Sequence, residues 1–106
     1  MRLEHLRTFA AVAMAGELAE AAAQLGRTPA AVSMTLRQIE DDLGDALFEG
    51  GRKSRLTPLG AYVLERARRA ISEYDGALLN IRHFARGEHG VASLAAVPSA
   101  AIRVVP

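Results

Sequence analysis

The chain contains no cysteine and no tryptophan, and aromatic residues make up only 5% of its 106 residues. Without cysteine it can form neither a disulfide nor a thiolate metal site, so cysteine usage leaves its redox compartment open. No apolar run is long enough to span a bilayer, and the amino terminus lacks the basic-then-apolar layout of a signal peptide. We therefore expect a soluble, cytoplasmic protein.

Several kinds of chemistry are also missing from the sequence. The three histidines, His5, His83 and His89, share no metal-ligand spacing, and no nucleophile lies beside a partner base. No phosphate-binding glycine loop is present. The net charge of +1 does not by itself indicate nucleic acid, and half of the residues are apolar, enough for the modest core of one domain. We expect neither an enzyme nor a resident metal or cofactor.

The most informative stretch is residues 28–37, T-P-A-A-V-S-M-T-L-R. Thr28 is a favourable N-cap, and Pro29 suits the first helical position, where a missing N–H costs nothing. The apolar residues that follow recur at helical spacing and predict one buried stripe. They are Val32, Leu36, Ile39 and Leu43. The sequence thus predicts a helix that Gly44 ends.

The opposite face of this helix is small, hydroxylic, flexible and cationic. It carries Ala30, Ser33, Met34 and Arg37. Small residues permit close approach to a major groove, and arginine can donate two hydrogen bonds to guanine. Two alternatives stay open: Arg37 could pair with Asp41 one turn on, and Met34 could fill a gap in the domain. Asp41 shares this face, so we expect only the first two turns to meet DNA.

Two further helices are predicted before this one, over residues 2–15 and 18–25, ended by Gly16 and Gly26. Only Arg27 separates Gly26 from the Thr28 cap. This spacing is typical of a helix–tight turn–helix unit.

A β-hairpin is predicted after the third helix. Half-apolar segments at residues 46–49 and 54–57 flank Gly50-Gly51-Arg52-Lys53, and two glycines between strand-like runs are typical of a hairpin. We interpret it as a wing whose tip carries Arg52 and Lys53, placed to contact the minor groove or its phosphates. A solvated hairpin tip is the alternative.

A long helix is predicted from Thr57-Pro58 to about Ala85, closed by Gly87. It carries an unbroken heptad pattern, here named the heptad stripe. Its members are Val63, Ala67, Ala70, Tyr74, Ala77, Ile81 and Phe84, with Leu64, Ile71 and Leu78 alongside. At ~1.5 Å per residue the helix is about 40 Å long, more than a winged domain can cover. A homodimer through a coiled coil would cover the rest; burial against an absent domain is the alternative.

Residues 91–97 are strand-like and are followed by what resembles the start of a helix. Such a fragment cannot fold alone. We expect three regions: a winged helix-turn-helix domain at 1–57, a dimerisation helix at 58–87, and the start of a truncated second domain at 88–106.

A set of short motifs lies in a fixed order along the chain: Leu6-Arg7-Thr8-Phe9, Ala21-Ala22, Thr28-Pro29-x-Ala31-Val32-Ser33, Ile39-Glu40, Leu43-Gly44, Leu47-Phe48, Leu56-Thr57-Pro58-x-Gly60 and Gly90. Taken in order, these motifs resemble the amino-terminal DNA-binding domain and linker helix of LysR-type transcriptional regulators. The resemblance implies that residues 58–87 are the linker helix and that residues 88–106 begin a truncated effector-binding domain. The resemblance implies a bacterial regulator that binds promoter DNA as a dimer or tetramer. It further implies antiparallel linker helices and a small-molecule co-inducer pocket in a portion absent here.

The chain also departs from the family pattern at three places. Thr28-Pro29-Ala30 replaces the common Ser-Gln-Pro opening, so the glutamine often used to read bases is missing. Glu17 and Glu20 add acids to the second helix, and Gly50 stands where the wing usually has arginine. These departures predict weaker phosphate anchoring without a change of fold.

The sequence therefore predicts a mainly α protein: three helices and a short β-hairpin wing, followed by a long dimerisation helix. The predicted DNA-binding residues are Arg27, Thr28, Pro29, Ala30, Ser33, Met34, Arg37, Arg52, Lys53 and Arg55. The predicted dimerisation residues are Val63, Ala67, Ala70, Ile71, Tyr74, Ala77, Leu78, Ile81 and Phe84. Two other hypotheses remain: a winged-helix regulator of another type, such as a molybdate-responsive one, and a protein-interaction module without specific DNA readout.

Overall fold

The computed structural model describes residues 1–87, and its architecture is the predicted winged helix-turn-helix followed by a long helix. The elements are α1 (Leu3–Ala15), α2 (Leu18–Leu25), α3 (Pro29–Leu43), β1 (Phe48–Glu49), β2 (Arg52–Leu56) and α4 (Pro58–Ala85). One compact unit covers Met1–Ser72, and a second begins at Glu73. The strand expected at residues 91–97, and the truncated domain around it, lie outside the described residues.

The helix ends follow the local signals in the sequence. Gly26 ends α2 in the left-handed conformation, with φ 67°, and only Arg27 and Thr28 separate it from α3. The Thr28 hydroxyl accepts a hydrogen bond from the backbone N–H of Ala31 at 3.1 Å, which confirms it as the N-cap. This tight turn holds α2 and α3 as one unit and sets where α3 begins.

The core lies between α1, α2, α3 and the segment leading into the hairpin. Its largest fully buried side chains are Phe9, Val12, Val32, Ile39 and Leu47. The Phe9 and Phe48 rings meet at a centroid distance of 5.6 Å, tilted by 58°, and so join α1 to β1. One side of α3 is thereby buried against the domain.

Leu43 was predicted to belong to the buried stripe of α3, and the structure does not bury it. Val32, Leu36 and Ile39 are buried, but Leu43 is 39% exposed. Leu43 is the last residue of α3, next to the Gly44 C-cap, and its side chain lies at the margin of the core. The buried stripe therefore has three members.

The hairpin is tighter than the sequence predicts. Gly50 and Gly51 have positive φ angles of 53° and 76°, as a two-residue turn of type I′ requires, and Glu49 pairs with Arg52 across it. The tip therefore consists of the two glycines. Arg52 and Lys53 were predicted at the tip, but they begin β2, since glycine at both turn positions lets the strands pair directly beside them.

The start of α4 is fastened to the segment before β1. The Thr57 hydroxyl donates to the carbonyl oxygen of Ala46 at 2.8 Å and accepts from the N–H of Gly60 at 3.0 Å. A Cβ atom on Gly60 would overlap the carbonyl oxygen of Leu47, so only glycine fits there. The backbone of the first turn of α4 thus packs directly against the backbone at Leu47.

Within the first unit, part of the heptad stripe is already covered. Val63 and Leu64 pack against the core, and Ala67 is fully buried. The prediction that Ala67 contacts a second copy is wrong, because its side chain has no exposed surface within a single chain. Val63 is half-buried for the same reason, and Ala70 and Ile71 are also half-buried.

Within the second unit the stripe is exposed. Tyr74 is 51%, Ile81 62% and Phe84 63% exposed, Ala77 is exposed, and Leu78 is half-buried.

Among the described residues no helix is both long and apolar enough to cross a membrane.

Candidate nucleic-acid interface

The outward face of α3 offers side chains that the fold does not use. Ala30, Met34 and Arg37 are exposed and Ser33 is half-buried, whereas Val32 and Leu36 on the other side are buried. The buried stripe holds the helix in place, and the cap at Thr28 fixes its first turn. A rigid helix with a small, chemically mixed outer face can enter a major groove.

Arg37 is available for contacts outside the domain. Across residues 1–87 its guanidinium makes no hydrogen bond and no ion pair, so the alternative pairing with Asp41 does not form. An exposed guanidinium with all of its N–H donors open can bind guanine O6 and N7 together, or a phosphate. The geometry thus favours contact with a partner over internal pairing.

Met34 does not fill a gap in the domain. Its side chain is 59% exposed, which contradicts the packing alternative. It lies between Ala30 one turn before and Gln38 one turn after, both exposed. The centre of the face is therefore apolar.

Gln38 is a candidate that sequence reasoning missed. It is exposed, and its amide makes no hydrogen bond within the described part of the chain. Its amide can pair with adenine N6 and N7 in a major groove. The signal was its four-residue spacing from Met34 on a helix with a known buried side, which places it at the edge of the same face.

Arg27, one of the predicted DNA-binding residues, is exposed but also has partners within the domain. Its guanidinium donates to Oγ1 of Thr8 at 3.1 Å, to Oγ1 of Thr35 at 2.9 Å and to the carbonyl oxygen of Ala31 at 3.2 Å. Thr8 and Thr35 are only 3% and 9% exposed, so Arg27 satisfies two buried hydroxyls and ties α1 to α3. Its role in the structure is to brace the helix-turn-helix, because these bonds hold the guanidinium against the domain.

The remaining residues of the turn are placed as expected, at the exposed start of α3. Thr28 and Pro29 are exposed, and the Thr28 oxygen already accepts the cap bond, which leaves its hydroxyl hydrogen as a possible donor.

The acidic residues after Arg37 have separate environments. The Glu40 carboxylate accepts a hydrogen bond from the backbone N–H of Leu47 at 2.9 Å, so it anchors the segment before the wing. Asp42 lies 3.8 Å from the amino-terminal ammonium group. Asp41 remains exposed on the α3 face, one turn beyond Arg37. Its charge would repel phosphates, which restricts the favourable part of the face to the residues before it, from Ala30 to Gln38.

The wing divides its three basic residues into two groups. Arg52 and Arg55 are exposed and make no ion pair within residues 1–87. Lys53 is half-buried: its Nζ lies 5.2 Å from the centroid of the Phe48 ring and donates to the carbonyl oxygen of Gly51 at 3.3 Å. The two arginines are thus better placed for phosphate than Lys53, which partly serves to hold the hairpin together.

The sequence matches the family described as "Bacterial regulatory helix-turn-helix protein, lysR family" over residues 3–61. It is 36% identical over 107 residues to the uncharacterized HTH-type transcriptional regulator YdcI of Escherichia coli (strain K12), covering 100% of this chain and 35% of YdcI. It is 33% identical to a probable nitrogen assimilation transcriptional activator of Synechocystis sp. (strain ATCC 27184 / PCC 6803 / Kazusa), covering 100% of this chain and 34% of that protein. The chain thus spans about one third of the length of these relatives.

Solved structures show the same fold. The BenM DBD in complex with catB site 1 DNA matches with a TM-score of 0.79 and 31% identity, covering 84% of this chain and 97% of that one. Full-length CbnR in complex with its target DNA matches with a TM-score of 0.72 and 34% identity, over 82% of this chain and 29% of that one. The family match covers the helix-turn-helix, the wing and the start of α4, which are the elements that build the exposed α3 face. The chain belongs to the lysR family of bacterial regulatory helix-turn-helix proteins.

Proposed function

We propose that this chain is the sequence-specific DNA-binding part of a transcriptional regulator. The observation that carries the proposal is the outer face of α3, where Arg37, Met34 and Gln38 are exposed while the opposite side is locked into the core. The presence of DNA in the BenM and CbnR complexes supports the proposal.

The interface has two parts with different tasks. The part of α3 from Ala30 to Gln38 would lie in a major groove, where base edges carry distinct donor, acceptor and methyl patterns. Arg52 and Arg55 on the wing would contact phosphates at the flank, which positions the helix but carries little sequence information. Base readout is thus assigned to α3 and anchoring to the wing.

We infer further that the chain acts as a homodimer. Ile81 and Phe84 are more than half exposed and share the heptad stripe, an arrangement typical of helices that pair with another helix. A second copy of the same helix supplies a matching stripe. A dimer with two-fold symmetry would read a pseudo-palindromic site, with one α3 helix in each of two successive major grooves.

The experiment that tests this function is selection of bound sequences from a random duplex pool, with the purified chain at moderate salt. Enrichment of an inverted repeat with one fixed half-site spacing is the expected result. Binding that enriches no sequence and collapses as salt is raised would reduce the function to phosphate contact. Absence of binding would favour the protein-interaction module.

Two variants on the selected site separate the tasks of α3 and the wing. Arg37→Ala should weaken binding by about 1–3 kcal/mol and relax preference at one base position. Arg55→Ala should weaken binding to all sequences alike and reduce the slope of log K against log salt by about one per chain. Equal loss on all sequences for Arg37→Ala would contradict its assignment to base readout.

A further inference from the structure

We propose that the sequence readout of this chain is in part apolar: Ala30 and Met34 contact the 5-methyl groups of thymines in the major groove. This inference rests on the proposed function and adds the chemical class of the base that the centre of α3 selects. It follows from the kind of surface that the first two turns of the helix present.

Met34 occupies the apex of the exposed face. At about 100° per residue, its direction is nearly opposite to the middle of the buried stripe of Val32, Leu36 and Ile39. It is 59% exposed, and methionine offers only a weak acceptor and no donor to a base edge. A helix that enters a groove with this face leading therefore brings a thioether and methylene groups to the base pairs first.

Ala30 extends this apolar surface by one helical turn toward the start of α3. It is exposed, and four residues correspond to about 6 Å along the helix axis. Successive bases on a strand are about 3.4 Å apart, so the two side chains can contact groups one or two base steps apart. The Ala30 side chain is a single methyl group, so it can reach a base only if the helix backbone comes close to the base pairs. The small residues beside Ala30 permit this close approach.

Thymine carries the only methyl group on the major-groove edges of the four bases. Guanine, cytosine and adenine present acceptors and donors there, and these would lose bound water to an apolar side chain without gaining a hydrogen bond. A thymine methyl loses no hydrogen bond when it is covered by Met34, and both partners remove apolar surface from water. The chemistry of the face thus favours thymine over the other three bases beneath it.

The charged and polar residues around this surface do not oppose the assignment. Arg37 and Gln38 lie one turn further on and can read guanine and adenine, while Ser33 lies at the edge of the face. Met34 itself has no role inside the domain to explain its presence, since it is exposed there.

The experiment replaces thymine by deoxyuridine, which removes the 5-methyl group and leaves base pairing intact. Each thymine of the selected site is replaced in turn, in both half-sites together, and the dissociation constant is measured by fluorescence anisotropy. Loss of one buried methyl per half-site should weaken binding by about three- to fivefold for each half, hence roughly 10- to 25-fold for the pair. We expect this loss at one or two positions of the half-site.

The variants then identify the side chain. Met34→Ala should abolish the deoxyuridine sensitivity at one position, and Ala30→Gly at the other, so that thymine and deoxyuridine bind each variant equally there. Met14→Ala is the matched control, because Met14 is 62% exposed but lies on α1, and this variant should keep the full sensitivity. Circular dichroism checks that each variant keeps its helical content.

Three results would overturn this inference alone, and a fourth would overturn it together with the proposed function. Binding that is unchanged by deoxyuridine at every position would exclude a methyl contact, although the proposed function would stand. Sensitivity that survives in both Met34→Ala and Ala30→Gly would assign the methyl to another side chain. A selected site without thymine beneath α3 would contradict it directly, whereas failure to bind any DNA would overturn the proposed function and this readout together.

Discussion

The two halves of α4 carry the same heptad spacing but have different environments. In the first half, up to Ser72, Ala67 is fully buried and Val63 packs against the winged domain. In the second half, Ile81 and Phe84 are more than 60% exposed. One continuous pattern therefore describes two kinds of surface: one that is covered by the helix's own domain, and one that stays exposed within a single chain.

The glycines of α4 repeat this contrast. A Cβ atom on Gly60 would overlap the Leu47 carbonyl oxygen, whereas a Cβ atom on Gly76 would meet nothing within 4 Å. The first glycine is required by close packing, and the second is a weak point in an exposed helix. Four substitutions, two in each half, can break or sharpen the comparison.

The largest effect is expected from Ala67→Asp in the first half. A carboxylate at this fully buried position would have no partner, and an uncompensated buried charge costs about 3–5 kcal/mol. We expect the winged domain to melt at least roughly 10 °C lower, as measured by circular dichroism on heating. Ala77→Asp, at an exposed position of the second half, is the control and should leave the melting temperature unchanged at concentrations where the chain is monomeric. Equal destabilisation by both would mean that the two halves do not differ.

The next largest effect is expected from Ile81→Asp in the second half. Burying an isoleucine is worth about 1.5–3 kcal/mol, and a symmetric dimer loses two, so dissociation of the dimer should become at least about 100-fold easier. Sedimentation analysis over a range of concentrations measures this change. Asn80→Asp adds the same charge at the adjacent exposed residue outside the heptad stripe and should have little effect. A dimer that tolerates Ile81→Asp would show that this stripe is not its interface.

The features that could be predicted from the sequence, such as helix ends and helix faces, are those set by interactions between residues close together in the chain. The bounds of the helices follow from the Thr28 cap and from glycines such as Gly26, since these signals act within a few residues. The exposed face of α3 followed from its spacing alone. The tip of the hairpin was predicted two residues too late, at Arg52-Lys53 instead of Gly50-Gly51. Four consecutive loop-like residues did not show which pair would form the type I′ turn.

Sequence reasoning did not predict which side chains would find partners or burial inside the domain. Arg27 binds Thr8, 19 residues away, and so satisfies a buried hydroxyl. Lys53 lies over Phe48, and Ala67 is buried within the domain instead of facing a second copy. A helical spacing shows which residues share a side of a helix, but tertiary packing decides what covers that side.

A smaller loss of stability is expected from Gly60→Ala. The added Cβ would force the first turn of α4 away from the Leu47 backbone and strain the hydrogen bonds of Thr57, at a cost of about 1–3 kcal/mol. The midpoint of urea denaturation should fall accordingly. Ala61→Gly, an exposed change at the next residue, controls for helix propensity alone and should cost no more than about 1 kcal/mol. A neutral Gly60→Ala would show that the close approach is not needed.

The smallest effect, and one of opposite sign, is expected from Gly76→Ala. Glycine inside a helix is less favourable than alanine by about 0.5–1 kcal/mol, and the open space around Gly76 leaves nothing for the new methyl to strike within a single chain. The helical signal in far-ultraviolet circular dichroism should therefore resist heating slightly better at concentrations where the chain is monomeric.

The same variant also reports on the partner: if the helices of a dimer approached each other at Gly76, alanine would strengthen the monomer's helix while weakening the dimer. In an exposed helix only the backbone entropy of glycine determines whether Gly76→Ala raises or lowers helix stability, and it predicts a rise. A loss of helix in the monomer would therefore contradict the exposed environment assigned to this half of α4.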